Sequence, residues 1–102
     1  MLPQSSRLPS LEFAARGYRT QRTPFFLLKI KNNPFSRNRI GVIVGAAAVK
    51  TAVRRNFLKR QAKTFFSRKE MQKSRDVLII FSPRAASLTK AELKKEFKKI
   101  YP

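Results

Sequence analysis

From Phe25 to Lys31 the chain reads Phe-Phe-Leu-Leu-Lys-Ile-Lys, an apolar run in which polar residues enter alternately towards the end. That alternation predicts a strand. Asn32-Asn33-Pro34 breaks it, and a loop continues to about Asn38. Arg39 to Gly45 (Arg-Ile-Gly-Val-Ile-Val-Gly) is rich in β-branched residues and predicts a second strand. An antiparallel pairing of these two strands is the natural expectation.

From about Val49 to Phe66 the period becomes helical. At 100° per residue, Val53, Phe57, Leu58, Ala62, Phe65 and Phe66 fall on one broad apolar arc. Arg55, Lys59 and Lys63 recur at four-residue steps on the other side, with Asn56 and Arg60 beside them. A charged connection, Ser67 to Arg75, leads to Asp76–Phe81 (Asp-Val-Leu-Ile-Ile-Phe). This continuous apolar run suits a strand buried on both faces. Pro83 ends it.

The last element carries the fullest local signal. Thr89 and Glu92 have the spacing of a capping box, and Leu88 and Leu93 that of a hydrophobic staple. Leu93, Phe97 and Ile100 then form a stripe to bury, leaving Lys94, Lys95, Lys98 and Lys99 to solvent. Near the other terminus Ser10 can cap a short helix, Leu11 to Arg16, with Gly17 at its C′ position. Arg19 to Thr23 reads as a basic, irregular approach to the first strand. The expected order is α-β-β-α-β-α, an α+β fold in which helices cover a small sheet as a two-layer α/β sandwich. With 102 residues, one domain is expected: a basic N-terminal segment, 1–24, and the sandwich, 25–102.

Charge changes the picture from fold to function. Lys and Arg number 24 against 5 Asp and Glu, a formal net charge of +19. Self-repulsion on that scale implies a polyanionic partner. Nucleic acid is the commonest, because each neutralised phosphate releases condensed counterions. An anionic membrane surface is the rival. It is the weaker one, because the apolar arc of the helix is needed by the core. No run of apolar residues is long enough to span a bilayer. Residues 1–24 hold four arginines against Glu12, a composition that also suits a mitochondrial transit peptide.

The missing residue types exclude chemistry. There is no Cys and no His, which removes thiolate nucleophiles, the usual general base and the commonest transition-metal ligands. The acids are Glu12, Glu70, Asp76, Glu92 and Glu96, of which only Glu92 and Glu96 are close in sequence. A two-metal nuclease needs several converging carboxylates. Any reaction in which this chain takes part is therefore expected to be carried by another molecule.

Six basic residues and no acid lie between Lys50 and Lys63. Like charges four apart on a helix repel by a few tenths of a kcal/mol per pair, by order of magnitude. Phosphates along that face would offset the repulsion, and Asn56 can donate to and accept from a base or a 2′-hydroxyl. The bland alternative is a solvated basic face. Aromatic side chains supply stacking on unpaired bases. Phe65, Phe66, Phe81 and Phe97 read as core, whereas Phe13, Tyr18, Phe25 and Phe35 flank basic residues and are the stacking candidates.

The segment Arg39-Ile-Gly-Val-Ile-Val followed by Val53-Arg54-Arg55-Asn56-Phe57-Leu58-Lys59-Arg60 resembles the signature region of the bacterial ribonuclease P protein component. In that family a strand reading Arg-Ile-Gly leads to a helix with an Arg-Asn-Arg-x-Lys-Arg motif. Leu2-Pro3, Arg7-Leu8 and Glu12-Phe13 are similar to the family's start, and Asp76-Val-Leu-Ile-Ile-Phe with Pro83-Arg84-Ala85-Ala86 to its later part. The likeness spans most of the chain in the right order.

The resemblance implies a ribosomal-protein-like sandwich with a left-handed βαβ crossover, a hand that pattern alone would not suggest. It implies two RNA partners, the catalytic RNA and precursor transfer RNA, and a cytoplasmic bacterial protein with no membrane partner, and it does not imply a protein partner. Hydrolysis would belong to the RNA and its Mg2+, with no cofactor held by the protein alone. By position, Arg55, Asn56, Lys59 and Arg60 match the motif helix, with Lys50, Arg54 and Lys63 adding charge around it. Phe13 matches an aromatic of the cleft that takes the single-stranded leader, with Arg16 and Phe25 as further candidates. The chain departs from the pattern at Phe57, the motif's second arginine, at Ala46 and Ala47, usually lysines, and at Leu28, often aromatic. A structural ribosomal protein or RNA chaperone needs the same charge without a substrate, and a nuclease acting alone would need an active site of its own.

Overall fold

The computed structural model describes residues 7–9, 17–68 and 73–100. Strands β1 (Arg19–Arg22), β2 (Phe26–Asn32) and β3 (Arg39–Ile43) precede helix α1 (Ala52–Ser67). Strand β4 (Arg75–Phe81), a 3-10 turn (Pro83–Ser87) and helix α2 (Lys90–Ile100) follow. The short helix expected over 11–16 lies outside the described residues. Gly17 has φ +95°, the left-handed conformation expected of a C′ residue.

The four-stranded sheet runs β1-β2-β4-β3. Two expectations are corrected here. Arg19–Arg22, read as irregular, is a strand paired antiparallel to β2, with Arg19 opposite Ile30 and Arg22 opposite Leu27. It occupies hydrogen-bonding groups that β2 would otherwise expose at its edge. The second correction is larger. β2 and β3 do not pair with each other, because β4 lies between them, antiparallel to β2 and parallel to β3. β4 has the longest unbroken apolar run, and its place between β2 and β3 buries Val77, Leu78 and Ile79 on both faces. β3, β4 and the intervening α1 make a parallel βαβ unit.

Two asparagines carry the chain past the start of β4. Asn33 donates its backbone N–H to Ser74 O at 2.8 Å and its side-chain amide to Asp76 Oδ1 at 2.9 Å. Asn38 is buried, donates to Phe66 O at 3.0 Å and accepts from the backbone of Lys73 and Arg75 at 3.1 and 3.2 Å. That residue joins the C-terminal end of α1 to the entry of β4. At the far edge, Leu8 N–H donates to Ile40 O at 3.1 Å and Arg7 bridges to Ile40, which sets these two residues beside β3.

One face of the sheet packs against both helices. Phe26, Leu28 and Ile30 of β2 and Val77, Ile79 and Phe81 of β4 join Leu58, Ala62, Phe65 and Phe66 of α1, with Leu93 and Phe97 of α2. Phe97 is the hub, its ring centroid 5.2 Å from those of Phe26 and Phe65, 5.3 Å from Phe66 and 6.4 Å from Phe81. The expected staple and box both form. Leu88 and Leu93 are buried, Thr89 N–H donates to Glu92 Oε1 at 2.9 Å, and Glu92 N–H donates to Thr89 Oγ1 at 3.2 Å. The side chain of Ile100 lies outside what is described.

The apolar arc of α1 is narrower than its sequence suggests. Leu58, Ala62, Phe65 and Phe66 are buried, Phe57 is half-buried, and Val53 is 81% exposed. Val53 is about half a turn away from the centre of the buried face. The helix begins at Ala52 rather than Val49, because Thr51 caps it by accepting from Arg54 N–H at 3.3 Å. Val49 instead folds under the preceding turn, where its N–H donates to Gly45 O.

Candidate nucleic-acid interface

Burial of Leu58, Ala62, Phe65 and Phe66 at helical spacing fixes what α1 presents outward. Asn56 and Arg60 are exposed near the centre of the outer face, and Lys59 and Lys63 are half-buried on its flank. Lys50 is exposed in the turn before the N-cap. These five residues form one basic surface, and no acid occurs in the helix to balance it.

The two remaining basic residues of this stretch are tied to the fold. Arg55 Nη1 donates to Val49 O at 2.7 Å, which closes the turn before the helix. Arg54 lies over the ring of Phe57 and donates to the carbonyls of Ala86 and Leu88. It links the start of α1 to the approach to α2. Sequence placed both arginines with the binding residues, since nothing local distinguishes a guanidinium facing a carbonyl from one facing solvent.

The sheet face away from α1 and α2 is also built from alternation. Cross-strand partners share a face, so Leu27, Lys29 and Lys31 stand with Ile80, Leu78 and Asp76 of β4. Arg39, Gly41 and Ile43 of β3 continue the rows. Lys29 and Lys31 are half-buried. Among the described residues the only acid on this face is Asp76, buried and held bidentately by Arg39 at 2.8 and 2.7 Å. Tyr18 lies under Lys31 Nζ, 4.9 Å from ring centroid to nitrogen. The lysines at 29 and 31 were not among the candidates, although their alternation with Leu28 and Ile30 was available to point them out.

Phe25 is half-buried at the margin of the core, with the Arg84 guanidinium 5.9 Å above its ring. Phe35 is more open, 47% exposed beneath Arg39. Phe13 and Arg16 lie outside the described residues. The other described acids are engaged locally: Glu92 in the cap of α2, and Glu96 with Lys99 Nζ at 3.2 Å. Hydrogen bonds from Thr89, backbone first and then side chain, hold the Glu92 carboxyl below its ordinary pKa.

The sequence model of the family described as Ribonuclease P matches residues 11–102. The chain belongs to the ribonuclease P protein family. The ribonuclease P protein component of Vibrio campbellii is 35% identical over 80 residues, which cover 78% of this chain and 68% of that one. The ribonuclease P protein of Thermotoga maritima shares the fold with a TM-score of 0.77 at 18% identity, over 93% of this chain and 94% of that chain. A mutant of the Staphylococcus aureus protein does so with a TM-score of 0.78, also at 18% identity, over 94% and 85% of the two chains. Members of this family are parts of an endoribonuclease that matures the 5′ end of transfer RNA, and this chain is a protein component of that kind. No helix among the described residues is long and apolar enough to cross a membrane.

Proposed function

We propose that this chain binds the catalytic RNA of ribonuclease P along α1 and the single-stranded leader of precursor transfer RNA across the sheet face opposite the helices. The observation that carries the first half is the acid-free outer surface of α1, where Asn56, Lys59, Arg60 and Lys63 lie together. Those side chains suit phosphates and 2′-hydroxyls of a folded RNA. Lys29 and Lys31, beside the apolar row of Leu27 and Ile80, suit a single strand that offers phosphates and bare bases.

Hydrolysis in this reading belongs to the RNA and the Mg2+ it holds. The described carboxylates do not fit a protein-held divalent ion. Asp76 is taken by Arg39 and Asn33, Glu92 by Thr89, and Glu96 by Lys99. Among the described residues no three potential ligands cluster. The protein's part is to bind, position and neutralise.

The test is cleavage of a precursor transfer RNA by the cognate catalytic RNA, with and without the protein, over a range of magnesium concentrations. The protein should stimulate cleavage and have no activity alone. Assembly should weaken with salt at a slope of about −0.7 to −0.9 per neutralised phosphate. The Lys59→Ala/Lys63→Ala variant should fold normally and show a slope shallower by about 1.4 to 1.8. Failure to stimulate at any magnesium concentration would overturn the reading in favour of a structural RNA-binding role. Cleavage by the protein alone would make it a nuclease.

A further inference from the structure

A groove of about 290 Å³ runs between α1 and α2, on the layer away from the sheet. Its floor is closed by the buried side chains of Phe65, Leu93 and Phe97. Its rim carries Arg60 and Arg68 from α1 and the residue following it, facing Lys90 and Lys94 from the first turns of α2. Among the described residues no acid lines it. The two acids of α2 are directed elsewhere, Glu92 into the cap and Glu96 onto Lys99.

We propose that this groove is a second RNA contact, which receives one looped-out nucleotide of the partner RNA. The inference rests on the reading of α1 as the helix that binds the catalytic RNA. Arg60 belongs to both surfaces, so an RNA strand lying along the outer face of α1 reaches the mouth of the groove without leaving the protein. Two rows of cations converging on an apolar floor match the two halves of a nucleotide. The phosphate is held between Arg60, Arg68, Lys90 and Lys94, and the base lies in the groove against Gln61, Thr64 and the aliphatic stems of the basic side chains, over the apolar floor. Arginine forks onto phosphate oxygens, whereas the lysines act as point charges. The volume is at the small end of ligand pockets, with room for a base, its sugar and a phosphate but not for a duplex.

Affinity of the full chain for the cognate catalytic RNA tests this, with three variants. Lys90→Ala/Lys94→Ala should lower affinity about tenfold and make the salt slope shallower by about 1.4 to 1.8, as expected for two lost phosphate contacts. Lys95→Ala/Lys99→Ala removes the same charge from the same helix outside the groove and should change affinity less than threefold. Thr64→Trp fills the groove from an exposed lining position without altering charge. It should cost about tenfold, the low end of the range for losing one base from a protein surface. Chemical footprinting should show one unpaired nucleotide of the RNA protected by the parent and exposed by Thr64→Trp. Equal losses for the two lysine pairs would reduce the groove to general charge and overturn the proposal. Unchanged affinity and footprint for Thr64→Trp, with an unaltered circular dichroism spectrum, would overturn base insertion. If the groove variants have no effect while Lys59→Ala/Lys63→Ala still weakens assembly, the groove fails and the reading of α1 stands. If the parent itself does not bind the RNA, the reading of α1 fails first.

Discussion

The guanidinium of Arg54 lies 4.4 Å from the centroid of the Phe57 ring and donates to the carbonyls of Ala86 and Leu88. An arginine in the middle of a basic stretch is thereby a brace between the start of α1 and the approach to α2, stacked on the aromatic that stands where the family motif has an arginine. The arrangement separates two contributions that look alike in sequence, charge for a partner and charge for the fold. Arg54→Ala should destabilise the protein by about 2 kcal/mol, since charged donors to carbonyls are worth more than neutral ones. Arg54→Lys should recover little, because one ammonium cannot fork to two carbonyls while lying flat on a ring. Urea denaturation of the three proteins measures both effects, and a lysine variant as stable as the parent would remove the brace.

Asp76 and Arg39 stand opposite each other on the central and edge strands, and the carboxylate is 1% exposed. Removing one partner of such a pair strands the other charge in a poorly solvated site. Asp76→Ala and Arg39→Ala should each cost about 3–5 kcal/mol. The double replacement should cost less than the sum of the two. Thermal or chemical denaturation of the four proteins gives the coupling directly.

Phe97 touches four other rings, and truncating it should cost about 3–5 kcal/mol. A domain of this size holds only about 5–15 kcal/mol in total. Phe97→Ala is therefore expected to leave a substantial unfolded population at moderate temperature. Val53→Ala, on the outer side of α1, should stay within about 0.5 kcal/mol of the parent. Circular dichroism melts of the two variants check the contrast between buried and exposed positions in this fold.

The capping box makes stability depend on pH in a definite direction. The Glu92 carboxyl has a lower pKa folded than unfolded, because Thr89 donates to its ionised form. Its contribution is fully present above the ordinary glutamate value near 4.5 and is lost as pH falls through the folded value below that. Stability of the parent should therefore drop more steeply on acidification than that of Glu92→Gln. Parallel acid dependence of the two proteins would show that the carboxylate does not carry the cap.

Leader recognition predicts a dependence on leader length. Holoenzyme containing Lys29→Ala/Lys31→Ala should lose most of its preference for precursor over mature transfer RNA, and the preference should respond less to shortening of the leader. Phe13→Ala should lower the same preference by about tenfold if one stacked base is lost. Binding measured with a series of leaders, beside circular dichroism of each variant, checks this. A well-folded Lys29→Ala/Lys31→Ala protein with the parent's dependence on leader length would remove the sheet face from the leader's path.

What the sequence determined by itself is local. The capping box and staple of α2 need only Thr89, Glu92, Leu88 and Leu93 at fixed spacing, and each partner lies within five residues of the others. The apolar run of β4 announced a strand buried on both faces, because no solvent-facing alternation is written into it. The excess of cations on α1 was legible for the same reason, since helical spacing alone gathers them on one side. Strand order was not legible. Whether β2 pairs with β3 or with β4 depends on which strand can be buried on both faces, and that is a comparison between distant segments rather than a property of either. The partners of Arg54 were not legible for a similar reason: the carbonyls that hold it are 32 and 34 residues away. The groove between α1 and α2 had no sequence signature at all. Its rim and floor come from two helices whose contact is set by the packing of Phe65 against Phe97, so only the tertiary structure could bring Arg60 and Arg68 opposite Lys90 and Lys94.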